Sequence, residues 1–262
     1  MDSHIQIPKV ALKEFANDKN FFFKYEITTN ELNKGFPKRT FTEEDYYSEE
    51  MEHALSKHIE TPLKKLLVRA RTLQNDPPVF SIDTELIELG WAYVRSILAR
   101  NPVLHNSLSS HEYYSLLSMT PQQQHDHAVR LIIQETKKWL NDSNYDFSFM
   151  INHTTTPFVL PTRGLCECSI NSVPCLTIPL NPQCAILLKK HGQKIHDNSP
   201  DNTVLEILPA DDDSYIQFCN LLHWNRIAIS RQLNDGVGYV IASNKTLLQE
   251  SLKQQGITPK WS

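Results

Sequence analysis

The sequence predicts an α+β fold: an N-terminal hairpin, a central helical bundle, and a C-terminal, mainly antiparallel sheet with flanking helices. Three observations carry this. Residues 21–27 are aromatic and β-branched and are followed by turn formers. Through about 48–141, apolar residues recur at spacings of three and four, the period of amphipathic helices. From about 145 they fall into short runs separated by turn formers, the habit of strands. Helices first and strands later give α+β rather than an alternating α/β order. The reading is one domain over 1–262, helix-rich over about 45–141 and strand-rich over about 145–262.

Each element has a local reason. Phe21, Phe22, Phe23, Tyr25 and Ile27 form a strand, and Thr29-Asn30 with Asn33-Lys34-Gly35 turn it into a hairpin. Met51, Leu55, Ile59, Leu63, Leu66, Leu67, Ala70 and Leu73 line one helical face. Thr61-Pro62 interrupts that face, because proline suits a first helical turn and threonine caps it. Two helices, or one kinked helix, meet there. After Asp76-Pro77-Pro78, Asp83 caps a helix carrying Leu86, Trp91, Val94 and Leu98, which Asn101-Pro102 stops. Thr120-Pro121-Gln122-Gln123 opens the next helix with a cap, a first-turn proline and a capping-box glutamine, and Ala128, Leu131, Ile132 and Trp139 follow.

Strands are expected at 147–151, 157–160, 165–170, 175–178, 184–188 and 204–208. Asp211-Asp212-Asp213 opens a helix through Tyr215, Phe218, Leu222, Ile227 and Ile229, since acidic residues favour a helix start. Asn234-Asp235-Gly236 is a turn before a strand over 237–242 and a last helix over 244–255. The polar stretch 191–202 is a loop.

Composition narrows the function classes. A chain of 262 residues buries roughly 70–75% of its unfolded surface, enough for a core without staples. No window holds the eighteen or so apolar residues of a membrane span, so no membrane partner is expected. Met1-Asp2-Ser3-His4 lacks the basic and apolar regions of a secretory signal, and the expected location is cytoplasmic. Five cysteines, an odd number, argue against a disulfide framework. Cys166, Cys168, Cys175 and Cys184 lack the two-residue spacing of paired zinc ligands, so no metal is assigned, and no cofactor is identified. A net charge of −4 supplies no global pull on phosphate backbones, so nucleic-acid binding, if present, is local. With seven glycines and no phosphate-cradling loop, the dinucleotide and Walker fingerprints are absent. The nucleophile elbow, the zinc-protease helix and the kinase signatures are absent as well.

What remains are polar residues at apolar positions. Arg95 lies between Trp91 and Leu98, and Glu135 between Leu131 and Trp139, so both border the core and an interhelical ion pair would satisfy both. Such a pair is structural, or it serves catalysis or anion binding. Arg100 ends a helix, where a guanidinium either satisfies carbonyls or projects into a cleft to recognise phosphate or carboxylate. Lys57, Lys64, Lys65, Arg69 and Arg71 form a basic helix, read as a solvated face or a nucleic-acid contact. The pairs His125 with His127, and His191 with His196, have no partner at ligand spacing.

Several segments carry a resemblance: His4 to Phe15, Ala99-Arg100-Asn101-Pro102, Pro157-Phe158-Val159-Leu160-Pro161-Thr162, Ile178-Pro179-Leu180-Asn181-Pro182, and Asn220. Together they resemble the bacterial domain of unknown function 4238 family over nearly the whole chain. His4 precedes the proline by four residues where the family has three, and Lys9 stands where glutamine is common. Thr162 replaces an aspartate in the strand-end motif. Either that aspartate is a turn former, which threonine partly imitates, or this branch is catalytically altered.

The resemblance implies a role in bacterial defence against phage. Two mechanisms follow. In the first, an effector acts on nucleic acid or a nucleotide, with His4, Arg95, Arg100 and Glu135 as catalytic candidates and Asn220, Thr162 and Arg163 as binding candidates around a concave polar pocket. In the second, a non-catalytic protein binds or senses a phage or host component and those residues are structural.

Overall fold

A computed structural model describes residues 2–4, 6–75, 82–101, 118–141, 144–170, 172–195, 204–207 and 221–261, and they form an α+β fold. The first half runs β1 (Asp2–His4), α1 (Lys9–Glu14), β2 (Phe22–Glu26), β3 (Glu31–Gly35), β4 (Thr42–Glu44), α2 (Glu49–Leu55), a π-helical turn (Ser56–Glu60), α3 (Thr61–Asn75), α4 (Thr84–Ala99) and α5 (Pro121–Trp139). The second runs β5 (Tyr145–Asn152), β6 (Leu160–Pro161), β7 (Cys166–Ile170), β8 (Val173–Asn181), β9 (Cys184–Lys190), β10 (Val204–Ile207), α6 (Leu221–Asn234), β11 (Tyr239–Ala242), α7 (Lys245–Lys253) and β12 (Lys260–Trp261).

Local signals set the helix ends. Ser48 accepts from the Met51 N–H, Asp83 accepts from the Leu86 N–H at 2.7 Å, and Thr120 with Gln123 forms a reciprocal capping box. At Thr61-Pro62 the proline cannot donate into the ladder, and the preceding turn widens to the π pattern, with Thr61 bonded back to Ser56.

The sheet architecture departs from expectation in one respect. Among the described residues the strands form two five-stranded sheets, β10-β5-β9-β8-β7 and β12-β3-β2-β11-β6, beside a small β1-β4 ribbon. The N-terminal hairpin does not stand apart: β2 pairs with β11, from the far end of the chain. Two pairings, β10 with β5 and β12 with β3, are parallel. Cross-strand pairing costs loop-closure entropy but needs no local signal, so residue patterns alone do not reveal it. The expected helix start at 211–213 lies outside the described residues.

Both faces of the first sheet are covered, which is why its strands read as continuous apolar runs. Phe147, Phe149, Ile151, Ile178, Ile186 and Leu188 face the helical layer of α1 to α5. Met150, Cys166, Cys175, Ala185 and Leu187 face the opposite way, toward α6, α7 and the second sheet. Gly90 on α4 permits this approach, because a Cβ there would lie 2.1 Å from the Phe147 ring.

Candidate functional site

The Arg100 side chain does not project into an open cleft. It is 2% exposed and folds back over the last turn of α4, where Nη1 donates to Ser96 Oγ at 3.1 Å and Nη2 lies 3.8 Å from Glu60 Oε1 at the end of the π turn. Burial demands this, because a guanidinium removed from water needs acceptors close by. Its Nε is buried with no hydrogen-bond acceptor, and the Tyr47 hydroxyl and Glu52 Oε1 are also buried without a hydrogen bond. Burial raises the Tyr47 phenol, with the Arg100 charge opposing the shift. Tyr93, fully buried, donates to Pro179 O at 3.4 Å and is raised for the same reason.

The segment after β6 meets this helix end. Asn101 Nδ2 donates to Arg163 O at 3.0 Å, and Gly164 sits against Ile97. Thr162 is 1% exposed: its N–H donates to Tyr239 O and its Oγ1 accepts from the Tyr239 N–H, each at 2.9 Å. Arg163 Nη1 donates to Arg231 O at 3.2 Å and lies 3.6 Å from Asp235, at the end of α6. Thr162 and Arg163 therefore join β6, β11 and α6.

Two residues that sequence reasoning missed hold the same segment. Asn225 Oδ1 accepts from Val159 N–H while its Nδ2 donates to Pro157 O, and Gln232 Oε1 accepts from Arg163 N–H while its Nε2 donates to Val237 O. Both are fully buried on α6, seven residues apart and so on one helix face. An amide inside an otherwise apolar helical stripe was the available signal. Two of the segments quoted above meet here, since Phe158 N–H also donates to Pro182 O at 2.9 Å.

The expected Arg95–Glu135 pair does not form. Glu135 is exposed and pairs with Lys138 at 2.5 Å. The buried stripe of α5 runs through Val129, Ile132 and Thr136 to Leu140 just past the helix end, which leaves Glu135 outside it. Arg95 is half-buried, its guanidinium carbon 5.8 Å from the Trp91 ring centre. The backbone of His4 pairs with Thr42. Asn220 lies outside the described residues. On the basic helix, Arg69 pairs with Asp83 and Arg71 with Glu14.

A polar row crosses the first sheet elsewhere. Asp146, Lys189, Cys175 and Cys168 are register neighbours on β5, β9, β8 and β7. Asp146 and Lys189 are each 5% exposed and ion-paired, and His191 Nδ1 lies 2.6 Å from Asp146 Oδ1. Burial alone would raise the Asp146 carboxyl, but hydrogen bonds and charge from Lys189 and His191 outweigh it and hold it below its ordinary value. Sequence spacing could not show this trio, because Asp146 reaches Lys189 only across a strand pair. Beside the row, between β7, β8 and α6, lies a cleft of about 860 Å³ whose lining includes Cys168, Cys175, Ser230 and Arg231.

A third feature is on the outer part of the second sheet. Phe36, Phe21, Phe23 and Trp261 form a row with ring centres 6.4, 5.4 and 6.3 Å apart. Lys34 lies over Phe21 at 4.7 Å and Lys245 over Trp261 at 3.5 Å. Phe36 and Trp261, at the two ends, are 46% and 49% exposed, and Val68 is the one other exposed large hydrophobic residue among those described.

No protein-family model matches the chain, and neither a curated protein nor a solved structure matches it. No described helix is long and apolar enough to cross a membrane.

Proposed function

We propose that this chain is an effector of bacterial phage defence that engages single-stranded nucleic acid. The observation supporting nucleic acid is the aromatic row Phe36, Phe21, Phe23 and Trp261 flanked by Lys34 and Lys245. Exposed aromatic rings such as Phe36 and Trp261 stack bases without regard to sequence, and the ammonium groups that lie over Phe21 and Trp261 turn to the backbone phosphates when a base takes the ring face. Such a patch supplies the local attraction that a chain of net charge −4 lacks globally. The defence context rests on the resemblance of the quoted motifs.

Labelled oligo-dT and oligo-U titrated with the protein test the binding, read by fluorescence anisotropy at low and moderate salt. Trp261→Ala is expected to weaken binding about 5- to 150-fold, the equivalent of ~1–3 kcal/mol for one stacked base. Lys34→Glu is expected to weaken it further and to reduce the salt dependence. Absence of binding by the wild-type chain at micromolar concentration would remove this reading. Phage plating with and without Trp261→Ala tests the defence role separately.

One observation favours the second reading, a non-catalytic binding or sensing protein for a phage or host component. Arg100, Thr162 and Arg163 are engaged in contacts within the chain, and Glu135 is paired at the surface. Nucleic-acid binding without turnover of the oligonucleotide would select it.

A further inference from the structure

We propose that Cys168 and Cys175 form a reversible oxidation site, two thiols that a peroxide joins into a disulfide across the β7–β8 hairpin. The inference is independent of nucleic-acid binding. It starts from register: Ile170 faces Val173, Ser169 faces Pro174 and Cys168 faces Cys175. Two residues separate Ile170 from Val173, so that pair closes the hairpin as a mutually hydrogen-bonded pair, and bonded and non-bonded pairs then alternate. Pro174, with no N–H, accordingly falls at a non-bonded position. Cys168 and Cys175 are the next bonded pair, at a Cα separation of about 5.5 Å. Disulfides span roughly 4.4–6.8 Å between Cα atoms, which this separation meets, while the Cβ atoms of a bonded pair, about 5.5 Å apart, must draw in by about 1 Å and Cys175 Sγ must leave Val173 O, which it meets at 3.3 Å.

Face and access agree with the register. Both cysteines pack on the same cluster and both line the cleft of about 860 Å³ beside α6. Cys168 is half-buried and Cys175 is 3% exposed, so a small oxidant entering the cleft meets Cys168 first. Cys166 faces Thr177 instead, and Cys184 is fully buried. Burial pushes the Cys175 thiol up to about 11, against opposing pulls from a backbone hydrogen bond and from Lys189 on the next strand. Cys175 therefore stays protonated until it attacks, so Cys168 reacts with the peroxide first and Cys175 serves as the slower, resolving thiol.

In the first step the Cys168 thiolate attacks a peroxide oxygen. An S–O bond forms, the O–O bond breaks, and hydroxide leaves and collects the thiol proton as water. In the second, Cys175 Sγ attacks Cys168 Sγ, the S–S bond forms, the S–O bond breaks and a second water departs with the Cys175 proton. Two thiols lose two electrons, and one peroxide becomes two waters.

The full chain treated with hydrogen peroxide, alkylated and digested without reductant tests this by mass spectrometry. The expected product is the peptide spanning both cysteines, lighter by two hydrogens, with no backbone fragments between residues 168 and 175 until a thiol reductant is added. Cys175→Ser is expected to stop at a Cys168 sulfenic acid that dimedone captures, whereas Cys166→Ser and Cys184→Ser still give the disulfide. A disulfide that uses any other cysteine, or a wild-type product that stops at sulfinic acid, would overturn the proposal, as would thiols that survive peroxide intact. The wild-type mapping stands even if a serine variant folds poorly.

Discussion

Lys189→Met is the sharpest test of how the first sheet tolerates its polar row. Lys189 and Asp146 are each 5% exposed and ion-paired, so removing the ammonium leaves a carboxylate that water does not reach. Breaking a buried pair by removing one member costs roughly 3–5 kcal/mol. The contact from His191, at 2.6 Å, survives and places the expected loss near the lower end, about 3 kcal/mol. For a chain of this size that is a fall in Tm of roughly 6–12 °C, taking about 2–4 °C per kcal/mol. Replacing both members, Lys189→Met with Asp146→Leu, removes the stranded charge and is expected to recover most of the stability. Urea denaturation followed by circular dichroism measures all three proteins. A single variant within about 0.5 kcal/mol of wild type, the range of ordinary surface changes, would refute the reasoning, as would a double variant less stable than the single.

Three further outcomes are expected. The folded Asp146 carboxyl lies below its ordinary 3.8, so its stabilising share is present above that value and is lost as pH falls through the lower folded value. Asp146→Asn is therefore expected to flatten the decline of the urea midpoint between about pH 5 and pH 3. Gly164→Ala places a Cβ 1.6 Å from Ile97 Cγ2 at φ +77 and is expected to cost about 2–5 kcal/mol, against about 1–2 for Gly192→Ala, where φ is +78 and no atom lies within 4 Å. Equal losses in urea melts would show that the backbone, not the contact, sets the cost. Gln232→Ala strands the Arg163 N–H and the Val237 carbonyl, with an expected loss of about 2–3 kcal/mol, and retention of full stability would mean that water replaces the amide.

Much of the local structure was legible because it rests on neighbours in sequence. Ser48, Asp83 and Thr120 cap the helices they precede, and the expected β5, β7 and β9 runs lie within the observed strands to within a residue. The helix seam was less secure. Reading α5 through Leu131 and Trp139 placed Glu135 at the core, whereas the buried stripe through Val129 and Thr136 excludes it. A shift of one position turns a side chain by about 100° on a helix. For Arg100, position at the helix end was legible, but the depth of burial depended on Glu60, forty residues away on a turn that Pro62 helps to widen.

The sequence by itself determined the α+β class, the helix caps, the alternation from helical to strand periodicity and the identity of the polar residues that interrupt apolar runs. Those properties depend on side chains within a few positions of one another, where spacing is geometry. Only the tertiary structure decided that β2 joins β11, that Asn225 and Gln232 grip the 157–163 segment, and that Asp146 meets Lys189 while Cys175 faces Cys168. It also assembled Phe36, Phe21, Phe23 and Trp261 into one row, with Trp261 reaching the others only because β12 pairs with β3. Such pairings follow from which faces are buried together, and burial is a property of the whole chain rather than of any window within it.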